Sequence, residues 1–176
     1  MARVGDVVGG TCGTVEGEDR GAMRRREREI IDRSEIDAIL HAGRVMRIAL
    51  VDGDRPFIVP VFYAYDGQAL YFHSAQKGSK IEILERNPNI CIEVGLDHGV
   101  IEDEKACDFE ARHRTVIGHG KARFVTDPDE KLRALDRIVA RFTDRKFEYP
   151  APNLAMTIVV RIDIEVFKGK KHGFDA

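Results

Sequence analysis

With 176 residues, 43% of them hydrophobic, the chain has enough apolar material for one substantial core and too little length for two ordinary domains. Its 28 Lys and Arg against 30 Asp and Glu leave a formal net charge of -2, without the footprint of a nucleic-acid binder, so a small-molecule or protein partner is expected and nucleic acid is not. Cys12, Cys91 and Cys107 are odd in number and lack CxxC spacing, which disfavours a disulfide framework or zinc site and favours a reducing compartment. No run reaches membrane-span length and no secretory apolar core opens the chain, so a cytoplasmic protein without membrane association is expected.

Residues 1–28 read as a flexible N-terminal arm, rich in Gly and charge, with the basic run MRRRERE opening at Met23. The folded domain is expected over 29–176. Ser34 suits a helix N-cap, Asp37 resembles its capping-box partner, and Ile36, Ile39 and Leu40 form an apolar face before Gly43. From Arg44 the pattern turns to strands. The pairs Asp52–Gly53 and Asp66–Gly67 divide VMRIALVDGDRPFIVPVFYAYDGQALYFHSA into three runs, predicting a three-strand antiparallel meander. Pro60 cannot donate to a ladder and predicts an edge or a bulge in the middle run.

The stretch from His73 to Lys80, HSAQKGSK, joins an apolar strand to a short amphipathic helix bearing Ile81, Ile83 and Leu84. A strand feeding a helix through Gly78 offers free backbone N–H groups at the helix's positive end, where Ser74, Lys77 and Lys80 add a hydroxyl and two cations. That set suits a phosphate monoester. It also suits an ordinary solvated helix start, because the full GxxxxGK[ST] pattern is missing, and His73, a lone histidine near a strand end, reads more readily as a structural side chain than as a reactive one.

After the turn at Asn87–Pro88–Asn89, Ile90 to Val94 predicts a strand, and the acidic stretch 97–112 a solvated connection without diagnostic metal-ligand spacing. Thr115 to Val125 predicts a long strand, with Gly118 and Gly120 marking a bulge or bend. Asp127–Pro128 starts a helix with Leu132, Leu135, Ile138, Val139 and Phe142 along one stripe. The segment TDRKFEYPAPN reads as a connection, MTIVVRIDIEVF as the last strand, and Lys168 to Lys171 as a basic turn. Six strands with two or three peripheral helices, in runs rather than βαβ alternation, predict a mainly β, α+β architecture of small-barrel type.

Taken in order, IIDRSEIDAIL, RIAL, FIVPVFYAYDGQALYFHSAQKGSKIEIL, NPNICIEV, ACDFEARHRTVIGHGKA and the strand ending in FKGK resemble the pyridoxamine 5'-phosphate oxidase-like split-barrel flavoproteins, in particular their nitroimidazole-reductase-like branch, over roughly residues 29–171. The resemblance implies a six-stranded antiparallel split β-barrel that forms a homodimer with FMN at the interface. It implies that Ser74, Lys77, Lys80 and the backbone at Gly78 hold the FMN phosphate, and that Arg47, Ile48, Val59, Pro60 and Val61 line the ring and ribitol. His73 matches the family's histidine near the flavin, where an imidazole positions substrate or moves a proton. No extra basic site for a substrate phosphate, as in the true oxidases, is evident.

The resemblance thus implies an FMN-dependent oxidoreductase that takes electrons from NAD(P)H or another donor and reduces a small organic acceptor. Two other readings share the barrel. One is a flavin store, carrier or sensor without turnover. The other is a barrel holding haem or a deazaflavin, with His73, His98, His113 and His119 as candidate axial ligands for haem.

Overall fold

The computed structural model describes residues 23–174. Residues 1–22, most of the expected arm, lie outside them; Arg26–Arg28 form a 3-10 turn from which Arg28 reaches Glu110 at 3.1 Å. After the two-residue strand β1 (Glu29–Ile30), α1 spans Arg33–Ala42. Its cap is Asp32 rather than Ser34: the Asp32 carboxylate accepts both the Ser34 N–H and the Ser34 hydroxyl at 2.8 Å. An ionised acceptor gains more at the positive helix end than a hydroxyl does. Asp37 is engaged elsewhere, accepting from Arg33 Nε at 2.8 Å one turn back. Ile36, Ile39 and Leu40 are buried as their spacing requires, and Gly43 ends the helix.

Strands β2 (Val45–Asp52) and β3 (Arg55–Phe62) form the first expected hairpin, closing at Asp52 opposite Arg55. The third run does not continue the meander. The chain leaves β3 through β4 (Ala64–Tyr65), and β5 (Ala69–Ala75) pairs with β4 and with the last strand, β8 (Thr157–His172). The cause is burial on both faces: Ala69, Leu70, Tyr71 and Phe72 are all at most 3% exposed, so β5 needs core on one side and a helix on the other. A strand beside β3 at the sheet edge would lack that cover.

The remaining long strands are β6 (Asn89–Ile101) and β7 (Glu110–Phe124). The sheet order is β3-β2-β6-β7-β8-β5-β4, with β1 on β8. Six long strands form the predicted antiparallel framework, and the two-residue strands β1 and β4 bring the sheet to eight. The edge position of β3 accommodates Pro60.

Much of the connection read at 97–112 is ladder. β6 and β7 run on past the core as a two-stranded ribbon, with a register shift between Asp97 and Val100 and a 3-10 turn at Ala106–Asp108. Polar side chains suit a ribbon wet on both faces, and so hide the strand from a hydrophobic pattern. Lys168 to Lys171 likewise form strand, pairing with Ile117 to Arg114, and not a turn. The bulge expected at the glycines lies between His119 and Gly120, where a Cβ on Gly120 would strike the Asp163 carbonyl of β8.

Helix α2 spans Ser79–Arg86 and α3 Pro128–Ala140, the latter capped by Asp127 accepting from the Asp129 and Glu130 N–H groups. The α3 stripe buries Ala134, Leu135 and Ile138 against Ala69, Tyr71 and Val159 on the outer face of β5 and β8. Phe142 lies past the helix end, 45% exposed, edge-on to Phe62 at 4.9 Å. A short helix absent from the sequence expectation, α4 (Ala151–Met156), interrupts the segment read as a connection; it buries none of its residues, so no apolar period announced it. The main core gathers Met46, Ile48, Leu50, Phe72, Ile92 and Ile162 inside the curved sheet. Among the described residues no helix is long and apolar enough to cross a membrane.

Candidate functional site

The corner between β5 and α2 is built by opposing demands on the chain. Strand β5 is pinned by its buried residues and α2 by Ile81, Ile83 and Leu84, so the link must turn sharply, and Gly78 does so at φ 132, where side chains are strained. The Gly78 carbonyl accepts from Ile81 and Glu82 N–H at 2.9 and 3.1 Å; the N–H groups ahead of these have no intrahelical acceptor. On the strand that leads into this corner, Ser74 is 7% exposed and its buried Oγ has no hydrogen-bond partner. A buried hydroxyl left unpaired costs about 1–3 kcal/mol, which a ligand oxygen would relieve. Lys77 is exposed and Lys80 half-buried, and neither pairs with a carboxylate among the described residues. A phosphate fits this donor set: one orphaned hydroxyl, two uncommitted ammonium groups and a helix N-terminus.

His73 precedes Ser74 and leaves the strand on the opposite side. It is partly exposed and borders a cleft of about 210 Å³ with Leu135, Ile138, Val139, Tyr149, Asn153, Leu154 and Thr157. Burial among these apolar atoms, with the Lys80 charge second, holds the His73 pKa below the ordinary histidine value and favours the neutral ring. No described residue hydrogen-bonds to its imidazole.

The other expected contacts divide between two faces of the edge hairpin. Arg47 and Pro60 are paired neighbours on its outer face, where Arg47 Nη1 donates to Glu93 Oε2 at 3.0 Å. Ile48 is 0% exposed within the core, opposite Val59, and Val59 and Val61 pack half-buried against that core. The structure therefore gathers Ser74, Lys77, Gly78 and Lys80 at one corner with His73 behind it, and sets Arg47 and Pro60 apart from Ile48, Val59 and Val61.

Sequence reasoning missed the wall facing His73. Lys131 Nζ donates to the Leu154 carbonyl and Gln76 Nε2 to the Ala155 carbonyl, each at 2.7 Å, fastening the end of α4 beside β5. The Tyr149 hydroxyl donates to Asp136 Oδ1 at 3.0 Å, and burial followed by this carboxylate pushes its pKa up to about 12. The sequence signal was the pair Phe147 and Tyr149 in a segment otherwise read as a connection.

The order of these elements matches a known sequence profile, that of pyridoxamine 5'-phosphate oxidase, over residues 32–171. The chain belongs to this family. A crystal structure of a candidate 5-nitroimidazole antibiotic resistance protein from Bacteroides thetaiotaomicron VPI-5482 is similar to it at 31% identity and a TM-score of 0.73, over 81% of this chain and 85% of that one. The flavocytochrome Anf3 of Azotobacter vinelandii shares the fold at 23% identity and a TM-score of 0.78, covering 88% of this chain and 75% of its own. The FAD and heme binding protein of Mycobacterium smegmatis does so at 19% and 0.74, covering 85% and 77%. An uncharacterized protein of Rhizobium meliloti (strain 1021) is 34% identical over 65 residues, 37% of this chain and 42% of that relative's length.

Proposed function

We propose that this member of the pyridoxamine 5'-phosphate oxidase family is an FMN-dependent oxidoreductase that reduces a small organic acceptor, with NAD(P)H as electron donor. The observation that carries the reading is the orphaned, buried Ser74 hydroxyl on the strand that enters the glycine corner, followed there by two lysines without a carboxylate partner and the α2 N-terminus. Bound FMN supplies a carrier that takes up two electrons as hydride and passes them on. Ser74, Lys77, Lys80 and the α2 N–H groups hold its phosphate, through charge-assisted bonds worth about 1.5–3 kcal/mol each. His73, kept neutral by its surroundings, can accept or donate a proton at a ring nitrogen toward a molecule in its cleft.

The protein acts as a homodimer in this reading, with FMN between subunits. What supports it is the outer sheet face, where Val45, Ile58, Phe62, Ile117 and Val166 are each 37–66% exposed around the Arg47–Glu93 pair. The neighbour whose name includes heme supplies the second reading, in which His73, His98, His113 or His119 would hold the haem iron.

The test is turnover by purified protein loaded with FMN. Reduction by NAD(P)H and reoxidation by menadione faster than with free FMN supports an oxidoreductase. Bound flavin with no rate gain makes the protein a flavin store or sensor, and a haem Soret band in place of flavin overturns the assignment.

A further inference from the structure

The cleft beside His73 is lined mostly by hydrocarbon, with few polar groups. Leu135, Val139 and Leu154 present hydrocarbon, and Tyr149 presents its ring while its hydroxyl is committed to Asp136. The only uncommitted polar side chains on it are the His73 imidazole and the Asn153 amide, neither hydrogen-bonded to a described residue. Its volume of about 210 Å³ falls below the ~300–1,000 Å³ of drug-sized pockets, which sets the ligand at one or two rings. Beyond Val139, Tyr149 and Asn153 it opens into a wider cleft of about 490 Å³ lined by Phe142 and Phe147, so a ring can enter from solvent along apolar side chains.

From these walls, we infer that the cleft between β5, α3 and α4 binds a flat, uncharged aromatic or quinonoid ring, with one polar edge group hydrogen-bonded to His73 and Asn153. Burying an ion against these hydrocarbon walls would cost far more than burying a neutral ring. Asn153 from α4 and Val139 from α3 both line the slot, so their side chains bear on its selectivity. That the ring is then the electron acceptor rests on the flavin reading above; that it binds does not.

The experiment uses 2-naphthol as a neutral two-ring probe and 2-naphthoate as its anionic counterpart, titrated by calorimetry into the full chain with and without FMN. Asn153→Trp fills the slot from α4, where the native side chain is exposed, and Val139→Phe fills it from α3. The expected result is one 2-naphthol site per chain, with at least tenfold weaker binding in either variant, at least tenfold weaker 2-naphthoate binding, and unchanged FMN uptake. Equal binding by wild type and both variants, or preference for the anion, overturns the inference. Loss of 2-naphthol binding on loading with FMN also overturns it, by giving the cleft to the flavin ring. Failure to bind FMN with 2-naphthol binding intact sinks the flavin reading and leaves the cleft standing.

Discussion

The side chains of His73 and Ser74, consecutive in β5, leave the strand on opposite sides: the serine hydroxyl is buried without a partner, and the imidazole borders the cleft lined by α3 and α4. The two-residue period of a strand enforces this separation. A cofactor held by its phosphate on one side and a molecule meeting the imidazole on the other would then be registered by a single strand.

Ser74→Ala separates stability from function. Removing an unpaired buried hydroxyl should stabilise the flavin-free protein by about 1 kcal/mol, because nothing is lost but a desolvation cost. The same change should weaken FMN binding by about tenfold, the value of one hydrogen bond to a charged phosphate. Thermal melts of flavin-free protein and a fluorescence titration with FMN check both; a destabilised variant would show that Ser74 already has a partner.

The His73 pKa is depressed, so protonation is disfavoured in the folded state relative to the unfolded one. Sign follows: the unfolded chain binds more protons in this window, and stability should fall as pH drops from the unfolded value of 6.5 through the lower folded one. Urea midpoints between pH 7.5 and 5 should decline more steeply for wild type than for His73→Gln. Parallel declines would remove His73 as their source.

Tyr63 is 0% exposed, and its hydroxyl donates at 2.6 Å to the Leu40 carbonyl at the end of α1, while the Arg141 guanidinium lies 5.3 Å above its ring. Burial pushes its pKa up to about 12. Tyr63→Phe should cost about 1–2 kcal/mol by stranding that carbonyl, read as a lower urea midpoint at constant slope. FMN affinity should not change.

At the β7–β8 bulge, Gly120→Ala would drive a methyl group into the Asp163 backbone. A backbone atom cannot rotate away as a side chain can, so the expected loss is about 1–3 kcal/mol, measured by chemical denaturation. An unchanged midpoint would mean that the two strands part there at little cost.

Where side chains carry a period, the sequence was readable. The α1, α2 and α3 faces, the edge placement of Pro60 and the bulge at Gly120 all follow from local chemistry. Pairing partners were less so: nothing within β5 says that it joins β8, where Tyr71 pairs with Arg161 90 positions on, because that choice is settled by what covers both faces. The ribbon at residues 97–101 and 110–113 escaped notice because Asp97, His98, Glu110, Arg112 and His113 interrupt any apolar alternation around Val100 and Ile101, and α4 because it buries nothing. Of the candidate site, the phosphate corner was legible as HSAQKGSK, since strand, glycine and helix are contiguous. The His73 cleft was not, because its walls come from β5, α3, α4 and the loop between the helices.

The most direct test of the flavin corner compares FMN with riboflavin, which differs only by the phosphate, on wild type and Lys80→Ala by fluorescence titration. Wild type should bind FMN at least about a hundredfold more tightly than riboflavin, since several charge-assisted contacts each contribute a factor of ten or more. Lys80→Ala should lose about tenfold in FMN affinity and leave riboflavin binding unchanged. Equal affinity of wild type for the two flavins, or an FMN preference untouched by Lys80→Ala, would contradict the phosphate corner on which the account rests.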